Sequence, residues 1–86
     1  MANHASAKKR IRQTHKRTAR NRHLRATVRT YVKRVHVAIE ASDKKAAQEA
    51  LTTAVKKIDG AVAKGVYHRK TGSRYISRLT EQVAAL

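Results

Sequence analysis

The chain contains no cysteine, proline, tryptophan or phenylalanine, and only 3 of its 86 residues are glycine. Without cysteine it has neither disulfide bonds nor thiolate metal ligands. Without proline, and with much Ala, Lys, Arg and Gln, its composition favours helix nearly everywhere. Because the apolar residues are mostly small, we expect a thin core, marginal stability in water and one small domain over residues 1–86.

Acidic residues are also scarce, and none occurs before Glu40. The chain has 21 Lys and Arg against 5 Asp and Glu, which gives a net charge of +16. A solvated surface is the alternative reading, but a block of cations without acids is typical of an interaction element. Such a block predicts a polyanionic partner, and its composition points to nucleic acid. The cations of the first thirty-four residues are Lys8, Lys9, Arg10, Arg12, Lys16, Arg17, Arg20, Arg22, Arg25, Arg29, Lys33 and Arg34.

Other functional classes lack the residues that they require. No apolar stretch approaches the roughly 18 residues of a membrane span, and no apolar run follows the N-terminus as in a secretory signal. We therefore expect a cytoplasmic protein without a membrane partner. No nucleophile elbow, P-loop or paired carboxylate is present, so we expect no enzyme, no cofactor and no small-molecule substrate. The histidines of the first segment lack partners at ligand spacing, so we expect no metal.

Apolar residues recur at spacings of three and four in three segments, which predicts helices over about 6–41, 43–64 and 69–85. Short connections make neighbouring helices antiparallel. The predicted fold is therefore all-α, a three-helix bundle. Its first helix is overlong and basic, and its N-terminal part projects from the core.

Local signals mark the ends of these helices. Ser6 is a suitable N-cap for the first helix, and either Ser42 or Asp43 can cap the second. Gly65 fits the left-handed position that follows a helix, and Val66 can make the apolar contact that accompanies such a cap.

The first helix has an apolar face only in its C-terminal half. Ile11 is the only large apolar residue between Ala7 and His23. Like-charge pairs at i,i+4, such as Lys8–Arg12, each cost an isolated helix about 0.2–0.5 kcal/mol. A helix that is polar all round needs an outside reason to form. The cations are spread around the helix rather than along one edge, which suits insertion between several nucleic-acid strands.

Three stretches of the sequence resemble the family of bacterial small-subunit ribosomal protein number twenty. Together they follow the order and spacing of that family over essentially the whole chain, and the third stretch is the most specific. The stretches are Met1-Ala2-Asn3 with Ser6-Ala7-Lys8-Lys9-Arg10, Arg29-Thr30-Tyr31-Val32-Lys33-Arg34 with Ala38-Ile39 and Asp43, and Lys64-Gly65-Val66-Tyr67-His68-Arg69 with Arg74 and Arg78-Leu79.

The resemblance implies a three-helix protein that binds 16S ribosomal RNA directly and early in assembly of the small subunit. The long helix would insert among RNA helices of the 5′ domain and the body, with few or no direct protein partners. RNA contact would involve the twelve cations above together with His68, Arg69, Lys70, Arg74 and Arg78. The chain departs from the family where Lys70, Thr71 and Gly72 replace the usual Asn, Lys and Ala.

Two further readings of the basic block remain open. A membrane-active cationic helix is disfavoured because the most basic half has no apolar face. A DNA-binding protein is disfavoured because helix-turn-helix units are short and this first helix is long. Comparable affinity for duplex DNA and structured RNA would favour the second reading.

Individual aromatic and histidine residues have alternative roles. Tyr31 lies on the apolar stripe, so we interpret it as a core residue rather than a base-stacking one. Tyr67 could pack or stack. His68 could contact phosphate, cap the third helix or be exposed, and the family resemblance favours RNA contact.

In the free protein, we expect residues before about His23 to be largely disordered, because they lack an apolar face and repel one another. Amide hydrogen exchange without RNA measures this directly. Rapid exchange before His23 is the expected result, and strong protection there would contradict it.

Overall fold

The chain folds into three helices in the computed structural model, which describes residues 3–86. They are α1 (Asn3–Glu40), α2 (Lys44–Ala63) and α3 (Arg69–Ala84). The described residues contain no strand, and the predicted all-α fold with an overlong first helix is confirmed. Met1 and Ala2, which the predicted domain includes, lie outside the described residues.

The prediction that Ser6 caps α1 is wrong, because the helix already begins at Asn3. Ser6 lies inside the helix, between Ala5 and Ala7, which are the strongest helix formers. The stretch from Asn3 to Ser6 contains no Gly or Pro that would delay the start of the helix.

The length of α1 sets the shape of the molecule. Its 38 residues span about 57 Å at 1.5 Å per residue, and the molecule measures 63 × 20 × 14 Å. Its radius of gyration is 17.4 Å, whereas a compact domain of this length has about 12 Å. Every side chain from His4 to Arg20 is exposed. We call residues 4–19 the projecting arm.

The core is small, and α2 lies at its centre. α2 packs against both α1 and α3, whereas α1 and α3 touch each other little. Valine and alanine supply most of the buried side chains, as the composition predicts. The buried apolar residues are Val28, Val35 and Ala38 of α1, Ala47, Ala54, Ile58 and Ala61 of α2, Val66 of the second connection, and Leu79 and Val83 of α3.

In the first connection, Asp43 caps the start of α2 and Ser42 closes the end of α1. Asp43 is the N-cap of α2, where its Oδ1 accepts a hydrogen bond from the amide of Ala46 at 3.1 Å. Ser42 has a left-handed backbone with φ of 55°. The amides of Ser42 and Asp43 donate to the carbonyls of Ile39 and Ala38, which closes α1 with a Schellman motif.

The second connection confirms the predicted role of Gly65. Its φ is 76°, its amide donates to the carbonyl of Val62, and the amide of Val66 donates to the carbonyl of Ala61. This is a second Schellman motif, and buried Val66 supplies its apolar contact. The motif turns the chain sharply, so that α3 returns alongside α2.

Gly72 marks the closest approach of α3 to α2. It is buried, and a Cβ at this position would lie 2.5 Å from Cγ2 of Val62 and 3.5 Å from Cγ2 of Ile58. A contact of 2.5 Å requires a neighbour to move. Gly72, which replaces the alanine usual in the family that the sequence resembles, therefore lets α2 and α3 pack closely.

Replacement of Gly72 by Ala tests this close approach. We expect Gly72→Ala to lower the free energy of unfolding by about 1 kcal/mol, because Val62 is β-branched and resists rotation. In a Val62→Ala background the clash is absent, and we expect the same change to raise that free energy by up to about 1 kcal/mol through helix propensity. Urea denaturation followed by circular dichroism measures both effects. Equal effects in the two backgrounds would contradict the packing argument.

Candidate nucleic-acid interface

All seventeen residues predicted to contact RNA have exposed side chains. Fourteen of them fall into three regions of the structure, and the other three are Arg20, Arg22 and Arg34 of α1. The first region is the projecting arm, the second is the face of α1 beside α3, and the third is the start of α3. The arm carries Lys8, Lys9, Arg10, Arg12, Lys16 and Arg17.

The projecting arm presents its cations on most of its circumference, but one strip is uncharged. Ala7, Ile11, Thr14 and Thr18 recur at spacings of three and four, so they share one side of the helix. They line shallow depressions on the arm surface, and Ile11 is 56% exposed. The prediction of cations spread around the helix therefore describes the arm except along this strip.

The second region is a groove between α1 and α3. Arg25, Arg29 and Lys33 of α1 line it on one side, and Arg78 of α3 lines it on the other. We call it the α1–α3 groove. It brings together cations that are more than forty residues apart in sequence. Because α1 and α3 touch little, the groove is open to solvent.

Besides these cations, four polar side chains line the α1–α3 groove: His36, Tyr67, Tyr75 and Gln82. The rings of Tyr67 and Tyr75 meet edge to face, with centroids 5.7 Å apart and planes at 78°. Both rings are half-buried and pack against the core. Tyr75, His36 and Gln82 are not among the residues predicted to contact RNA, because only the packing of α3 against the bundle places them in the groove.

Arg20 makes a contact within the protein. Its guanidinium donates to the carbonyl of Lys64 at 3.2 Å and to Oδ1 of neighbouring Asn21 at 3.3 Å. A cation near the last carbonyls of a helix is favoured by the helix dipole. Arg20 therefore links α1 to the end of α2, in addition to any contact with nucleic acid.

Tyr31 lies where α1 meets α2 and packs against the core, in agreement with its interpretation as a core residue. The guanidinium carbon of Arg34 lies 4.7 Å from its ring centroid, and Nζ of Lys57 lies 5.3 Å from it. Cations at these distances attract the ring face. Lys57 therefore joins the basic surface of α1, although nothing in its local sequence distinguished it from the other lysines of α2.

The third region is the start of α3, where His68 is the N-cap. Its Nδ1 accepts a hydrogen bond from the amide of Lys70 at 3.1 Å. In the neutral ring the proton then resides on Nε2, which can donate to a phosphate. Arg69 and Lys70 lie in the first turn of the helix. The guanidinium carbon of Arg74 lies 5.9 Å from the ring centroid of Tyr75.

The helix dipole adds to the positive charge of this region. The first turn of α3 contains no acid, so the partial positive charge of its N-terminus is reinforced by Arg69 and Lys70. Capping and phosphate contact are therefore compatible roles for His68, since they use different ring nitrogens.

Residues 3–86 show neither a metal-ion cluster nor a membrane-spanning helix. Over residues 3–86, no cluster of three or more His, Asp or Glu side chains could hold a metal ion. None of the helices described in the structure has both the length and the apolar character that crossing a membrane requires.

Comparison with known proteins gives full-length matches. The family model described as ribosomal protein S20 matches residues 2–84. The chain is 57% identical over 86 residues to small ribosomal subunit protein bS20 of Geotalea daltonii, covering 100% of this chain and 99% of the relative. It is 58% identical over 85 residues to the protein of the same name from Syntrophus aciditrophicus, covering 99% and 96%. The bS20 protein of Maricaulis maris is 49% identical over 86 residues, covering 100% and 98%.

Substitution of His68 separates its capping role from its other contacts. We expect His68→Ala to lower the free energy of unfolding by about 1 kcal/mol, because the Lys70 amide loses its partner. His68→Asn should stay within a few tenths of a kcal/mol of the unchanged protein, because the Asn side chain can accept the same bond. Thermal denaturation of both variants measures this, and equal losses would show that the ring itself provides the stability.

Proposed function

Because the chain belongs to the ribosomal protein S20 family, and is therefore a structural constituent of the small ribosomal subunit, we propose that it binds 16S ribosomal RNA directly through α1. By this binding it stabilises the packing of RNA helices early in subunit assembly. The RNA helices that it contacts belong to the 5′ domain and the body, and it has few or no direct protein partners.

Membership of this family also answers whether the chain is an enzyme and where it resides. The S20 family is a structural ribosomal family, so the chain is not an enzyme. A protein of the bacterial small subunit resides in the cytoplasm, which agrees with the predicted location.

The observation that carries the proposal is the projecting arm. Its side chains are exposed from His4 onward, so no core packing stabilises it. Its first turn contains no acid, and no acid occurs before Glu40. Phosphates on several sides of the arm would turn the repulsion between its cations into attraction. A helix of this length would then act as a rigid strut between RNA segments.

Counterion release supplies the affinity in this mechanism. Each Lys or Arg that neutralises a phosphate frees condensed cations, so binding weakens steeply as salt rises. Arginine outnumbers lysine in α1, and its planar fork can bridge two phosphate oxygens. Folded RNA is recognised largely through shape, phosphates and 2′-hydroxyls. The rigid spacing of the cations on one helix would select RNA that presents phosphates at matching positions.

The uncharged strip of the arm supports the same mechanism. Ala7, Thr14 and Thr18 are short, so the backbone of α1 can approach an RNA surface closely on that side. The threonine hydroxyls can donate to or accept from 2′-hydroxyls. The cations on either side of the strip would then reach the flanking phosphates.

Binding to purified 16S ribosomal RNA and to duplex DNA of equal charge, across a salt series, tests the proposal. We expect RNA binding to persist at a salt concentration at which DNA binding is lost, because the fixed spacing of the cations selects the RNA shape. Equal affinities that fall together would show only a generic grip on polyanions.

Charge variants refine the same measurement. The double variant Arg10→Gln/Arg17→Gln should reduce the slope of log affinity against log salt by about 1.5–2, because two phosphate contacts are lost. The matched control is Lys44→Gln/Lys45→Gln on α2, which removes the same charge and should change the slope little. Equal changes in slope would mean that net charge, and not contact by the arm, sets the affinity.

A further inference from the structure

The α1–α3 groove differs in chemistry from the projecting arm. The arm offers cations and small side chains, whereas the groove combines cations with two tyrosine rings. It is an open groove between two helices, so a ligand can enter it directly from solvent.

The charge of the groove selects an anion. Arg25, Arg29 and Lys33 lie along one wall, and Arg78 lies on the other. None of the residues that line the groove is Asp or Glu. A phosphate placed between the walls would therefore meet several guanidinium donors and no opposing carboxylate. Arginine binds phosphate oxygens with two parallel hydrogen bonds.

The tyrosine pair selects a planar, apolar group beside that anion. Tyr67 and Tyr75 are half-buried, and they are held by packing against the core. They line the same groove as the arginines. Aromatic rings beside cations are the combination by which proteins hold unstacked bases of single-stranded RNA.

We propose that the α1–α3 groove binds one unstacked nucleotide of the ribosomal RNA. Its base contacts the Tyr67–Tyr75 pair, and the phosphates on its 5′ and 3′ sides contact Arg25, Arg29 and Arg78. This inference rests on the proposed function, since it assigns a specific element of the same RNA to one part of the interface. The nucleotide must be unstacked, because a base in a duplex is not available for stacking on the tyrosines.

Tyrosine variants test the proposal by their affinity for purified 16S ribosomal RNA. We expect Tyr75→Leu to weaken binding about tenfold, within the range that base–aromatic stacking supplies. The salt slope should not change, because no phosphate contact is removed. Tyr75→Phe keeps the ring and should bind within about twofold of the unchanged protein. If Tyr75→Leu binds as tightly as the unchanged protein, the groove holds no base.

Tyr31→Leu is the matched control, because it makes the same chemical change at a half-buried tyrosine of the α1–α2 contact. We expect it to bind RNA within about twofold of the unchanged protein. A loss as large as that of Tyr75→Leu would mean that weakened packing lowers the affinity, and this would overturn the proposal.

A crosslink identifies the nucleotide. With a photoreactive phenylalanine analogue in place of Tyr75, we expect crosslinking to one nucleotide of an unpaired segment. Crosslinks spread over paired segments would overturn the proposal. The outcomes for the two proposals differ: if the unchanged protein does not prefer 16S ribosomal RNA, the proposed function fails. If it does, and neither the leucine variant nor the crosslink marks the groove, only the nucleotide site fails.

Discussion

Electrostatic repulsion along α1 is the constraint on which the rest of the structure depends. The first thirty-four residues of the chain contain twelve cations and no acid. The cations of the projecting arm are exposed to water. Internal ion pairing within that stretch is therefore excluded by composition. The repulsion decreases where outside anions approach, which predicts that the arm is a binding element. The stability of the fold therefore depends on residues 20–86.

Residues 20–86 form a small bundle whose stability depends on close packing rather than on large side chains. Ala47, Ala54 and Ala61 are buried along α2, and Gly72 removes the last side chain that would keep α3 away. Small residues allow the helix backbones to approach, so dispersion contacts partly compensate for the scarcity of large apolar groups. The bundle thereby anchors α1 and fixes α3 beside it.

The capping residues illustrate how far local sequence reaches. Gly65 was predicted to be left-handed, because few other residues adopt that conformation without cost, and the structure agrees. Ser42 adopts the same conformation at the other connection, although serine there was an equal candidate for the N-cap. Ser6 is not a cap at all, because the alanines around it continue the helix. Local signals thus predicted both ends of α2 correctly, at Asp43 and at Gly65, but not the start of α1.

The sequence by itself determined the helices and the long basic first helix and predicted a polyanionic partner, because helix propensity, apolar spacing and charge are read directly from the residues. Tertiary structure alone decided which distant residues meet. It placed Arg78 opposite Arg25 and Arg29, joined Tyr67 to Tyr75, and tied Arg20 to the end of α2. No spacing rule gives these pairs. The arginine contacts depend on how α1 and α3 pack against α2, and the tyrosine contact depends on the path of the second connection into α3.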